Sequence, residues 1–187
     1  IDAIQMDISH LEKATDRTLL GLIGYDMLKD FEMLIDYENH IIRFFNAKKN
    51  DLHDNFSPST SVPFIIENHL PIIKVKIGKK KLYFGLDTGA EVNLIDLSIK
   101  DKIDETLLSP LQIEEIQGVD KVVHEVFATH VSSTTVKDLD FDDMKYLFTD
   151  MSHLRDNSTF QLDGLLGFPF FSQRKCSINY KKKKKLK

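Results

Sequence analysis

Part of this sequence occurs twice, and that constrains it more than any other feature. Displaced by 143 residues, Asp7-Ile8-Ser9-His10-Leu11 falls on Asp150-Met151-Ser152-His153-Leu154. The same displacement lays Leu19-Leu20-Gly21-Leu22-Ile23-Gly24-Tyr25 on Leu162-Asp163-Gly164-Leu165-Leu166-Gly167-Phe168 without a gap. It also lays Ile35-Asp36-Tyr37 on Ile178-Asn179-Tyr180. A single displacement sustained from residue 7 to residue 37 implies two copies of one structural unit. The copies are unequal. The second is expected to occupy 62–187, and the first is represented by its closing part alone, 1–45. The intervening 46–61 carries Asn50-Asp51, Asp54-Asn55 and Ser57-Pro58-Ser59, a composition that reads as a linker.

The second unit reads mainly as strands. Ile73, Val75 and Ile77 alternate with Lys74 and Lys76, and Gly78-Lys79-Lys80 turns the chain into Leu82-Tyr83-Phe84-Gly85-Leu86. That pattern predicts a hairpin with one buried face. A second hairpin is expected over 112–127, turning at Gly118-Val119-Asp120, and a further extended stretch over 131–136. Helix signal is confined to 97–103 and to the residues after each Gly-x-x-Gly, at 25–31 and 168–172. Many short strands and little helix predict an all-β barrel or sandwich.

Composition removes several function classes. Six of the 25 Lys and Arg lie in the last seven residues, so the preceding 180 carry 19 basic against 29 acidic side chains, a net −10. An acidic body is a poor nucleic-acid binder, and the lysine run reads as a solvated tail. One cysteine, Cys176, excludes an intrachain disulfide framework and a cysteine-based zinc site, and it is expected to act as a small buried hydrophobe. No apolar run approaches the ~20 residues of a membrane span, and the residues from Ile1 do not read as a signal peptide. The compartment stays open between the cell envelope and the exterior, among others.

The chemistry-bearing motif is Leu86-Asp87-Thr88-Gly89-Ala90, placed directly after the apolar strand. A carboxylate at a tight turn off a buried strand is held rigidly. Thr88 offers a hydroxyl to the backbone or to a neighbouring loop, and Gly89 lets a backbone N–H approach the carboxylate. Combined with a candidate flap around Gly118 and with Leu165-Leu166-Gly167 before a short helix, this motif resembles the retropepsin-like aspartic proteases, most closely their bacterial branch. The likeness runs from about residue 63 to 180. Asp163-Gly164-Leu165-Leu166-Gly167-Phe168 through Tyr180 is similar to that family's closing segment, and so is Gly21-Leu22-Ile23-Gly24-Tyr25-Asp26 through Tyr37.

The resemblance implies a retropepsin-like β-barrel lobe for 62–187 and the C-terminal segment of a second such lobe for 1–45. It implies an endopeptidase in which two aspartates share a proton, because like charges ~3 Å apart cannot both ionise cheaply. One would act as base on a water and the other as acid toward the scissile carbonyl oxygen. Asp87 would be one member, supported by Thr88 and Gly89; Ala90, Gln117, Gly118 and Val119 would meet a peptide or protein substrate, and Leu165, Leu166 and Gly167 would be structural beside the site. No cofactor and no metal are implied. No second Asp-Thr-Gly or Asp-Ser-Gly occurs, so the partner aspartate is expected from an upstream lobe or from a homodimer. The displacement favours the upstream lobe, which would make this chain the C-terminal part of a two-lobed protease. The alternative of another class is a non-catalytic peptide-binding or dimerisation module on the same fold.

Other candidates read as structural. His10 and His153 match across the repeat without further ligands at useful spacing, His124 and His130 read as surface or edge-strand histidines, Ser132-Ser133 lacks a Gly-x-Ser-x-Gly frame, and Asp142-Asp143 reads as a solvated loop. A third of a lobe cannot bury Leu22, Ile23, Leu28, Phe31, Ile35, Ile41 and Phe44 alone. It is therefore expected to pack on preceding chain, on a second copy or on the body of the other lobe.

Overall fold

In the computed structural model, which describes residues 4–49, 51–117, 123–154, 161–181 and 184–186, most of the chain is strand. A helix α1 (Ser9–Thr15) and a single turn α2 (Tyr25–Leu28) precede the hairpin of β1 (Phe31–Asp36) and β2 (Ile41–Asn46), and a further turn α3 (Leu52–Asn55) follows. Next come β3 (Val62–Pro63), β4 (Ile65–Glu67), β5 (Leu70–Ile77), β6 (Lys80–Leu86) and β7 (Leu94–Asp96). Two 3-10 turns lead to β8 (Gln112–Gln117), β9 (Val123–Val131), β10 (Thr134–Val136), β11 (Leu139–Phe141) and β12 (Met144–Thr149). The chain closes through β13 (Gly164–Leu166), the turn α4 (Phe168–Phe171), β14 (Cys176–Asn179) and β15 (Lys184–Leu186).

The alternation of residues 73–77 does what period-two patterning dictates. Ile73, Val75 and Ile77 are buried in the main core, while Lys74 and Lys76 face out. Gly78 turns the hairpin with φ +55°, a left-handed conformation open to glycine. The second hairpin differs in extent from the sequence reading: β9 runs on to Val131, and the chain breaks at Ser132-Ser133 before β10. The expected turn residues Gly118, Val119 and Asp120 lie outside the described residues.

Two sheets share the main core. The larger runs β11-β10-β5-β6-β13-β7-β12-β9-β8, with β4 paired to β5. The smaller runs β2-β1-β14-β15-β3 and joins the β1–β2 hairpin to the body. Met33 and Ile35 of β1 enter the same core as Phe64, Ile178 and Tyr180. Packing on the body was one of the three outcomes expected for the N-terminal segment. It is partial, since Ile35 is buried while Leu22, Ile23, Phe31 and Phe44 stay exposed.

The strands β1 and β14 run antiparallel, pairing Met33 with Ile178, Leu34 with Ser177 and Ile35 with Cys176. Under the 143-residue displacement Met33 becomes Cys176 and Ile35 becomes Ile178. The pair Met33·Ile178 therefore maps onto Cys176·Ile35, and Leu34·Ser177 maps onto itself. A local two-fold axis passes through that central pair, the arrangement of an isologous contact. Ring packing follows the same axis. Tyr25 meets Tyr180 edge-to-face at 5.5 Å and 79°, and the displaced pair, Phe168 and Tyr37, does so at 5.2 Å and 80°.

A buried polar network fixes this register. Glu32 on β1 is fully buried, accepts Ser177 Oγ–H at 3.0 Å and Asn179 Nδ2–H at 2.9 Å, and meets His53 Nε2 at 2.7 Å. Such groups are tolerated inside only when their hydrogen bonds are made. His53 stands on α3, and Leu52 beside it is buried, so the polar 46–61 stretch packs against the smaller sheet.

Candidate active site

The sheet ends at Leu86, and Asp87 begins the turn. Asp87 N–H donates to the Leu166 carbonyl at 3.0 Å, fastening the turn to β13. Inside the turn, Ala90 N–H donates to the Asp87 carbonyl at 3.2 Å and Gly89 N–H to Asp87 Oδ1 at 2.9 Å. A Cβ on Gly89 would stand 3.3 Å from Oδ1, tighter than ordinary contact, so glycine suits the close approach. Neither Asp87 Oδ2 nor the half-buried Thr88 hydroxyl has a hydrogen-bond partner among the described residues.

The motif Leu165-Leu166-Gly167 sits behind this turn. The strand β13 is parallel to β6, with Leu165 opposite Gly85 and Leu166 opposite Leu86, and antiparallel to β7. A Cβ on Gly167 would meet the carbonyls of Val92 at 2.4 Å and Ala90 at 2.5 Å, and the Ala90 methyl at 3.0 Å. The Ala90 carbonyl accepts Phe168 N–H at 2.8 Å. Ala90 thus fits against the Gly167 turn.

Asn93 was not singled out in the sequence, yet it holds the whole arrangement. Fully buried, it accepts Gly167 N–H at 2.9 Å and donates to the Lys145 carbonyl at 3.0 Å, tying the turn before α4 to β12. Its signal was an amide placed between Val92 and Leu94, where an apolar run would otherwise continue.

The β4–β5 turn, also unforeseen, brings a second loop to Asp87. Asn68 and His69 have positive φ (47° and 68°), as a tight hairpin turn requires. A cavity of about 250 Å³ opens there, lined by Glu67, Asn68, Leu70, Asp87, Leu162 and Leu165 among others. Its walls are mainly aliphatic, and Asp87 and Glu67 supply its carboxylates. Tyr25 from α2 stacks on His69 at 4.7 Å, so the N-terminal segment reaches this neighbourhood. Burial, and after it the Asp87 carboxylate and Tyr25, push the Tyr180 phenol up to about 12.

Of the expected flap residues, Gln117 ends β8, paired with Val123, while Gly118 and Val119 lie outside the described residues. The arm is anchored near the site, because Val126 and Ala128 of β9 pack with Val92 and Leu94. Cys176 is buried, which pushes its thiol up to about 12 and leaves it inert as a nucleophile. His130 is exposed and pairs with Asp143 at 3.1 Å. Among the described residues no three His, Cys, Asp or Glu side chains gather to hold a metal ion, and no helix is long and apolar enough to cross a membrane.

The aspartyl protease family matches residues 73–170, more than half of the chain, from the core strand β5 through the Asp87 turn to α4. The chain belongs to that family. Its all-β architecture is the one expected for a retropepsin-like protein. Among solved structures the chain is similar to a retropepsin-like aspartic protease from Rickettsia conorii, with TM-score 0.41 and 15% identity over 61% of this chain and 78% of that one. No curated protein matches it.

Proposed function

We propose that the protein is an aspartic endopeptidase in which Asp87 is one of two carboxylates that activate water. The observation that supports this most is the state of the Asp87 carboxylate. One oxygen is fixed by the Gly89 amide, and the other has no partner among the described residues and lies beside a mainly aliphatic cavity that Asp87 helps to line. The second carboxylate comes from outside residues 1–187, from preceding polypeptide or from a second copy. In this reading residues 1–45 belong to one lobe, 46–61 connect, and 62–187 form the other lobe.

A water between the two carboxylates loses a proton to one of them and adds to the scissile carbonyl carbon. The other carboxylic acid gives its proton to the carbonyl oxygen. The tetrahedral diol then collapses, the C–N bond breaks, and a carboxyl proton passes to the leaving nitrogen. Gly89 orients Asp87, the Thr88 hydroxyl is free to bond to the opposing loop, and the β8–β9 arm, which Gln117 belongs to, meets the substrate.

The cavity beside Asp87 favours an aliphatic substrate side chain next to the cut bond, since its polar rim is small and burial of a charge there is costly. A peptide library treated with the full-length gene product should be cut beside Leu, Ile, Met or Phe. Enrichment of Asp or Glu at that position would contradict this assignment.

A further inference from the structure

A cavity of about 630 Å³, larger than the one beside Asp87, lies along the edge of β5 that β6 does not occupy. The strand pairing accounts for it. On that edge β4 pairs with Leu70 to Ile72, and β10 pairs with Lys76 and Ile77. Among the described residues no strand pairs there with Ile73 to Val75, and the cavity opens in that gap. Its volume is that of a small-ligand site.

The lining grades from apolar to cationic along the register of β5. At one end Ile65 stands opposite Ile72, with Phe64 in the same wall. In the middle Lys74 stands opposite Tyr83, its ammonium 5.9 Å from the ring centroid. At the other end Lys76 lies between Lys81 on β6 and Thr135 on β10. Lys137 completes that end; its Nζ donates to Thr60 Oγ1 at 3.2 Å and to the Ser61 carbonyl at 3.1 Å, which leaves one N–H of the ammonium. Among the described residues, Lys74, Lys76 and Lys81 have no carboxylate partner, and no Asp or Glu lines the cavity. The carboxylate that touches the lining, Asp140, accepts the Thr135 hydroxyl at 2.9 Å. Like charges directly opposite on neighbouring strands destabilise a sheet. The Lys76·Lys81 pair keeps that cost in an otherwise acidic body, and an anion between them would remove it.

We propose that this cavity binds a single-chain anionic amphiphile, a fatty acid, with its carboxylate among Lys76, Lys81 and Lys137 and its alkyl chain over Tyr83 toward Phe64, Ile65 and Ile72. Charge-assisted hydrogen bonds hold the head, and burial of methylenes holds the tail. From Lys76 to Ile72 is four residues of strand, about 13 Å. An extended chain of about ten carbons spans that distance. A peptide fits less well, because β4 and β10 lie on the same edge and block both ends of the gap to an extended chain. Ile72 lines both this cavity and the one beside Asp87, but Asp87 does not line this one, and the proposal stands apart from the peptidase reading.

Isothermal titration of the 187-residue chain with decanoate, kept below its micelle-forming concentration, tests it. Decanoate should bind saturably with one molecule per chain. Hexanoate, shorter by four methylenes, should bind roughly 200-fold more weakly. Decyltrimethylammonium, of equal chain length and opposite charge, should not bind measurably. Lys76→Glu should weaken decanoate binding by about tenfold or more. It should also leave the melting midpoint unchanged or raised, since it makes the cross-strand pair with Lys81 attractive. Ile65→Asp, at a position 46% exposed, should weaken binding by a similar factor without unfolding the chain. Equal affinity for hexanoate and decanoate, binding of the cationic amphiphile, or undiminished binding by folded Lys76→Glu would overturn the proposal. So would tighter binding of an acidic leucine-containing peptide than of decanoate, or binding to anionic vesicles without binding of the free acid.

Discussion

Replacing Asp87 with Asn in the full-length gene product should abolish peptide hydrolysis, lowering kcat/KM by about 10³-fold or more, while the melting midpoint stays where it was. Asparagine keeps the shape of the side chain, and its Oδ1 can still accept Gly89 N–H, the bond now made at 2.9 Å. The turn also keeps its fastening from the residue 87 amide to the Leu166 carbonyl. The substitution removes the group that takes and returns a proton. Loss of hydrolysis with an intact fold separates a peptidase from a non-catalytic binding module, which would bind peptide equally well in both forms. Unchanged hydrolysis at any pH would remove Asp87 from the mechanism.

Gly164→Ala should be among the most damaging single methyl additions in the body. Its Cβ would lie 2.3 Å from the Phe84 ring and 2.4 Å from the Leu94 carbonyl, in a strand bonded on both sides. Neither neighbour can yield cheaply, since Phe84 is fully buried and Leu94 O is backbone. Overpacking of this kind costs about 3 kcal/mol or more, which in a chain of this size lowers Tm by about 6–12 °C. Thermal unfolding of the 187-residue chain measures it. A shift of less than about 2 °C would show that β13 is not clasped as described. Gly21→Ala, the displaced counterpart, should be silent in the same measurement, because nothing described lies near its Cβ.

Much of the site was legible because its residues are close in sequence and chemically marked. An apolar strand followed by Asp87-Thr88-Gly89, and a Gly-x-x-Gly before a short helix, carry their geometry in local pattern. The alternation of 73–77 gave the inward face of β5 for the same reason. Contacts between distant segments carry no such mark. Glu32 reads as an ordinary charged residue in a strand, and its burial depends on Ser177, Asn179 and His53 arriving together. Asn68 and His69 form a short turn whose relevance is that the sheet lays it beside Asp87. Asn93 needed the position of Gly167 to be understood. The repeat pointed to two related segments, but the symmetry of the β1 register against β14 about Leu34·Ser177 appears only in the structure.

In the two-lobed form of the proposed function, each active site holds one Asp87, facing an aspartate of different origin. Co-refolding the full-length wild type with its Asp87→Asn form, at fixed total concentration, counts the Asp87 residues directly. Activity should fall in proportion to the wild-type fraction, leaving about half in an equal mixture. A fall with the square of that fraction, to about one quarter, would mean that two copies of Asp87 meet in a homodimer, and would contradict the account.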